Sequence, residues 1–400
     1  MASTTSLSAS REGATSRKLR SKPSGCQLLS PGWTNHTRRT LERWIDHGAH
    51  QNLPVIFDFD NTLVAGDLQE ATLAVLARDG ILTASRIAET LSPPFRLPGR
   101  GRITLQASAD ITEYYEAFLT PTAHGERDPT PLANSYAWAI EVLAGLRVSD
   151  VVEATREVCR LSRLPAPSHI EVTPGKTRYP VPTFYPEMIE LVAELLRRQF
   201  DVWIVSGTNV WSVRWMVKHE LNPRLRQYGL RTGLRADHII GVSTLLADRR
   251  DRLYKDILLV RENVRYAALN EKVLSQYRLT SRLQFPVPTY SGKVACILDA
   301  LGRRPYLCLG DSPGDHSMLA FGEHRLWMAR VEKPGHFQQT ARLIRATGTK
   351  GWVLQPTLAS GNPGFVSDLG ALAKRNAGPP HEVRTAARSL SALSKRLGLS

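Results

Sequence analysis

The chain has 400 residues, 42% hydrophobic and 22% charged, enough for two domains or for one domain with a large insertion. No apolar run approaches the roughly 18–20 residues of a bilayer-spanning helix, and the first fifty residues hold no apolar leader core. The four scattered cysteines, Cys26, Cys159, Cys296 and Cys308, exclude a disulfide scaffold and a cysteine-rich zinc module. The net charge of +15 is concentrated at the two ends. Residues 1–50 carry eight Lys/Arg against three acids, and residues 371–400 carry six against one. No nucleic-acid motif or aromatic interleaving accompanies this charge. Solvated basic ends are therefore expected, with neither nucleic acid nor membrane as a partner, on a cytoplasmic enzyme whose basic surface suits an anionic substrate.

In chain order, residues 1–34 are rich in Ser, Thr, Arg and Gly and are expected to form a disordered arm. Thr37 to Ala49 reads as an amphipathic helix with Leu41, Trp44 and Ile45 on one face. Pro54 to Phe57 is a short apolar run that stops at two aspartates, the pattern of a buried parallel strand. A helix over Leu68 to Leu76 follows. From there to about residue 180 the pattern is helical, broken by loops at Pro93-Pro94, Pro98-Gly99, Pro129 to Pro131 and Pro165 to Pro167. Strand–helix alternation then resumes: helix Glu187 to Arg198, strand Val202 to Val205, helix Val210 to Glu220 and strand Ile239 to Ser243. Helix Gly292 to Ala300 and strand Tyr306 to Leu309 complete it. Part of the stretch Ile239 to Leu259 reads as a β-hairpin turning at Asp248 to Asp251. The fold class is α/β, a Rossmann-like parallel sheet interrupted by an α-helical insert. The expected units are an arm over 1–34, a core over 35–66 and 181–355, a helical cap over 67–180, and a linker with a basic helix over 356–400.

Open α/β sheets bind ligands at the carboxyl ends of their strands, and three of these strands end in polar residues. The first ends in Asp58-Phe59-Asp60-Asn61-Thr62, where alternation places Asp58 and Asp60 on one side. Two such close carboxylates repel unless a cation or a shared proton relieves them, and hard oxygen ligands suit Mg²⁺. The second ends in Ser206-Gly207-Thr208, a hydroxyl and amides that suit an anion. The third ends in Gly310-Asp311-Ser312-Pro313-Gly314-Asp315, two more carboxylates on a turn into a helix. Lys293, at a helix start, supplies the counter-charge for a phosphate among these acids.

This ordered set resembles the haloacid dehalogenase superfamily of phosphatases over roughly residues 52–355. The segment from Gly310 to Leu319 looks most like the phosphoserine phosphatase type. Longer stretches, Ile56 to Leu82, Ile239 to Leu246 and Val287 to Lys293, resemble the phosphorylcholine phosphatase branch. The resemblance implies an aspartyl-phosphate mechanism. Asp58 would be the nucleophile and Asp60 the general acid and then base. Mg²⁺ would be held by Asp58, the main-chain carbonyl of Asp60 and Asp311, with Asp315 ligating directly or through water. Ser206, the Gly207 amide and Lys293 would bind the transferring oxygens, with Thr62 bracing the first loop.

The expected activity is Mg²⁺-dependent hydrolysis of a small phosphomonoester, with phosphocholine, phosphoserine and a specialised biosynthetic intermediate all open as substrates. Phosphotransfer to an acceptor alcohol is the alternative. Asp67 matches the position of a carboxylate that faces the substrate ammonium in amine-binding relatives, and is the candidate for cation recognition; a plain helix N-cap explains it too. Tyr114, Tyr115, Phe118, Tyr136 and Trp138 offer aromatic faces to a quaternary ammonium, or simply form core. The segment 129–134 departs from the phosphorylcholine branch by lacking an acidic cluster. Nothing in the sequence fixes the oligomeric state.

Overall fold

The computed structural model describes residues 25–97, 99–119, 135–164, 169–359, 361–375 and 379–399. Seven strands form the central sheet: β1 (Pro54–Phe57), β2 (Asp201–Asn209), β3 (Ile239–Val242), β4 (Leu307–Gly310), β5 (His324–Arg330), β6 (Trp352–Leu358) and β7 (Gly364–Phe365). Their order is β7-β6-β5-β4-β1-β2-β3, parallel throughout except for the β6–β7 pair. β1 lies in the middle with all four side chains buried, as a two-sided parallel sheet requires. Its register sets Phe57 beside Leu309 and Ile204. The residues that follow β1, β2 and β4 therefore meet at one end of the sheet.

Helices α1 (Asn35–Gly48), α2 (Leu68–Arg78), α3 (Pro186–Arg197), α4 (Val210–Met216), α5 (Gly292–Leu301), α6 (Gly335–Thr347) and α7 (His381–Leu397) do most of the covering. Their ends obey ordinary rules. α3 opens with proline in its first turn, and α5 stops at Gly302 in the left-handed conformation. One hydrophobic cluster unites α1, α2, α3, α4 and the insert against the sheet. A second, around Trp327, Phe337 and Trp352, includes Leu390, Leu393 and Leu397 of α7.

Four expectations need correction. Residues 25–34 of the supposed arm are docked: Cys26, Leu28 and Trp33 are buried, and the amides of Leu29 and Ser30 donate to the Glu190 carboxylate of α3. Residues 1–24 lie outside the described residues. The core does not stop at 355, because β6 continues to Leu358 and β7 pairs with it. The basic C-terminal helix exists, but its leucines are buried rather than solvated; its charges mark only the outer face. In the insert, helices Leu68–Arg78, Ile111–Leu119, Ser135–Glu141 and Val148–Leu161 are joined by two small hairpins, Phe95–Leu97 with Gly101–Ile103 and His169–Glu171 with Arg178–Pro180. Residues 98, 120–134 and 165–168, which include the segment 129–134 and the loops predicted there, lie outside the described residues.

The hairpin expected within Ile239 to Leu259 is shorter. Ile239–Val242 is the edge strand β3 of the main sheet. The hairpin pairs Thr244–Ala247 with Leu253–Tyr254, and Arg278–Leu283 adds a third strand on the other side. Among the described residues no helix is long and apolar enough to cross a membrane.

Candidate active site

The chain behind β1 reverses sharply. Asn61 takes φ +55°, a left-handed conformation that Asn tolerates better than most side chains, and its amide donates to the Gly66 carbonyl at 3.1 Å. Phe59 turns into the core, against Phe184. Asp58 and Asp60 on either side of it face the cleft.

Asp58 is 5% exposed. Its Oδ2 accepts from Thr62 Oγ1 at 3.0 Å, and its Oδ1 from Lys293 Nζ at 2.6 Å. Lys293 donates equally to Asp315 Oδ1, at 2.6 Å. The lysine reaches this position because α5 starts hard against the chain before it: a Cβ on Gly292 would lie 1.9 Å from the Val287 carbonyl oxygen. Asp315 is fixed from its other oxygen by the amides of Asp311 and Ser312 at 3.1 and 3.2 Å. Gly310 makes room for it, since a Cβ there would sit 2.6 Å from that of Asp315. One carboxylate oxygen each from Asp58, Asp311 and Asp315 fall within 4.8 Å of one another, all buried.

Asp60 points elsewhere. Its Oδ1 accepts from the Leu68 amide at 2.7 Å, at the start of α2. Its Oδ2 meets the Thr208 hydroxyl and, at 3.4 Å, Ser206 Oγ. Ser206 is fully buried and accepts from the Thr208 amide at 3.0 Å. Gly207 faces the insert, for a Cβ there would lie 3.9 Å from the Tyr136 ring, and Tyr136 in turn sits near Tyr290.

Burial without water sets the protonation of these groups. It is the main cause that lifts Asp58 to about 6, with Asp315 adding to the rise and Lys293 opposing it. Asp60 is raised well above the carboxylate range, first by burial and then by Asp67 and Asp58. Asp311 rises to about 8, driven by burial and resisted by Arg330. Burial pulls the Lys293 ammonium down, but Asp315 and Asp58 outweigh it and hold the group above its ordinary value. The donor set is thus three buried carboxylates under mutual repulsion, one of which, Asp311, has a buried Oδ2 with no hydrogen-bond partner. That is the arrangement a hard divalent cation relieves.

The residues singled out at the strand ends, together with Lys293 and Thr62, line or border this cleft. Of the two readings of Asp67, the helix cap is the one observed. It caps α2 by accepting from the Glu70 amide at 2.9 Å, and it lies half-buried within the field of Arg330. Of the aromatic candidates, Tyr114, Tyr115, Phe118 and Trp138 pack on one another and serve as core of the insert. Only Tyr136 stands over the phosphate loop.

Two residues escaped the sequence reading. Thr208 was read as part of a loop, although its place two residues after Ser206 in an extended strand puts both hydroxyls on one side. Arg330 ends β5, and its Nε lies 2.7 Å from Asp311 Oδ2. The missed signal was a fourth strand, His324–Arg330, that also stops at a charge.

No protein-family model matches the chain. A phosphorylcholine phosphatase of Pseudomonas aeruginosa is 25% identical over 310 residues, spanning 75% of this chain and 81% of the relative. A conserved protein of unknown function from Anaerococcus prevotii shares the fold, with a TM-score of 0.56 and 16% identity over 85% of this chain and 97% of that one. A substrate-bound phosphoserine phosphatase aligns over 69% of this chain and 86% of its own at 14% identity and a TM-score of 0.34, an overlap too loose to bear on function.

Proposed function

We propose that this chain, a phosphatase of the haloacid dehalogenase type, hydrolyses a small phosphomonoester through a phosphorylated Asp58. The observation that carries the reading is the placement of Asp58: a buried carboxylate held by Lys293 and Thr62 beside Asp311 and Asp315. A carboxylate so oriented can attack phosphorus in line, splitting one displacement into two easier ones.

Asp60 is the general acid. Burial, with Asp67 and Asp58 nearby, raises its proton affinity, which suits a group that gives a proton to the leaving alkoxide and later takes one from the incoming water. The Thr208 hydroxyl and the Leu68 amide fix its two oxygens for that exchange. Ser206, the Gly207 amide and Lys293 receive the transferring oxygens, and Lys293 neutralises the charge that two anions bring together. Asp58, Asp311 and Asp315 are the side chains that would hold Mg²⁺, which when bound supplies positive charge between the nucleophile and the phosphate. Tyr136 closes the loop side of the cleft and excludes water there.

The leaving alcohol lies toward α2, where Asp67 supplies a carboxylate suited to an ammonium group. The name of the Pseudomonas relative, a phosphorylcholine phosphatase, supports an amine-bearing ester. The test is phosphate release from a panel of phosphomonoesters with and without Mg²⁺, beside Asp58→Asn. The panel spans phosphoethanolamine, phosphocholine, phosphoserine, sugar phosphates and nucleotides. Turnover that needs both Mg²⁺ and Asp58 supports the mechanism. Turnover that survives Asp58→Asn refutes it, and preference for sugar phosphates or nucleotides refutes the ammonium assignment.

A further inference from the structure

Arg330 is the one cation of the cleft that the proposed chemistry does not use. Its side chain is 15% exposed. The approach of its Nε to Asp311 Oδ2, although 2.7 Å, is out of line for donation, so both atoms stay buried without a hydrogen-bond partner. Among the described residues no hydrogen bond reaches its terminal nitrogens either. Nε is thus held against Asp311 by charge alone, and the terminal nitrogens of a partly exposed side chain remain available to donate to a ligand in the cleft.

Its strand stands apart from the groups proposed to bind the transferring phosphate. The phosphate-binding groups Ser206 and Gly207 stand on β2, on one flank of β1. Arg330 stands on β5, beyond β4 on the opposite flank, about 10 Å from β1 at ordinary strand spacing. The guanidinium reaches in from that flank to the rim of the acidic cluster at Asp311. Around it are Asp67, Tyr136 and Tyr185, whose charges and hydroxyls its field reaches. Asp67 takes a cation and Arg330 an anion, side by side at the mouth of α2.

Resting on the phosphatase reading above, we propose that Arg330 is a substrate-binding residue that pairs with an anionic substituent, a carboxylate or second phosphate, on the leaving alcohol. Guanidinium suits either group in bidentate geometry. The substrate class narrows accordingly, to esters whose alcohol carries a negative group as well as any amine.

The experiment compares esters that differ by that group alone. Phosphoserine against phosphoethanolamine, and 3-phosphoglycerate against glycerol 3-phosphate, test a carboxylate. Fructose 1,6-bisphosphate against fructose 6-phosphate tests a second phosphate. At least one pair should differ by tenfold or more in kcat/KM in favour of the anionic member, and the pair that does so identifies the group. Arg330→Gln should erase that preference mainly through KM, and Arg330→Lys should restore part of it. Absence of preference in every pair, or an Arg330→Gln loss equal for both members, overturns the proposal and leaves Arg330 as a brace for Asp311. Calorimetric binding of the same pairs to Asp58→Asn reads the discrimination without turnover. A chain that discriminates in binding but releases no phosphate would sink the phosphatase reading and keep the Arg330 site.

Discussion

Two clusters of buried charge, one anchored on α4 and one in the cleft, are built to opposite ends. Beneath the accessory strands, Arg214 and Asp256 are 1% and 4% exposed and pair at 2.8 Å. Trp211 Nε1 and the Tyr266 hydroxyl also donate to Asp256, at 2.9 and 2.6 Å, so every atom has a partner. In the cleft, Asp58, Asp311 and Asp315 crowd together beside Lys293 and Arg330, burial raises Asp58, Asp60 and Asp311, and Asp311 Oδ2 and Arg330 Nε, although 2.7 Å apart, have no hydrogen-bond partner. The first cluster is complete as it stands; the second is the one the proposed metal and substrate would complete. Buried charge alone does not mark a functional site. Buried charge that the protein leaves unsatisfied does.

The contrast is sharpest in mutants. Asp58→Asn should lower phosphate release by about 10⁴-fold or more, and Lys293→Ala by roughly 10²–10³-fold. Asp58→Asn should leave the urea unfolding midpoint unchanged or raise it, because it relieves a repulsion. Asp256→Ala should do the reverse, costing about 3–5 kcal/mol because it strands a buried guanidinium, with kcat per folded molecule kept. A destabilised Asp58→Asn or an inactive but stable Asp256→Ala would erase the distinction.

The docked terminus supplies the next test. Leu393 is 1% exposed, and Leu393→Ala should cost about 2–4 kcal/mol, read by denaturant unfolding, where a solvated tail would lose nothing measurable. The smallest effect concerns His336, in the first turn of α6. Burial, with Arg330 and Lys333 nearby, lowers it from 6.5 to about 4. Its folded form resists a proton that the unfolded chain accepts, so stability should fall as pH drops from about 6.5 to about 4. The loss is at most about 3 kcal/mol, and His336→Asn should flatten that slope in unfolding curves taken across the range.

The strand-end acids, the phosphate loop and the lysine were legible because each motif is local: a few consecutive residues force a buried strand to stop at a carboxylate. The parallel α/β class followed from the alternation of strands and helices, but the order of the sheet and its last three strands did not. Arg330 was not legible, since an arginine after an apolar run is ordinary surface in one dimension and becomes a site residue only when β5 is placed beside β4. The docking of residues 25–34 escaped for a similar reason. Their polar composition hid Cys26, Leu28 and Trp33, and the acceptor for the Leu29 amide and the Trp33 indole, Glu190, lies far along the chain. The basic ends misled because charge was counted along the chain rather than around a helix, where α7 separates its arginines from its leucines.

The claim on which the rest depends is that Asp58 becomes phosphorylated. Acid quenching of the protein during turnover of a small phosphomonoester with Mg²⁺, followed by mass spectrometry of the peptide that contains Asp58, measures it directly. The account predicts a single phosphoryl adduct on Asp58 that is absent from Asp58→Asn; turnover with no adduct on that residue would contradict it.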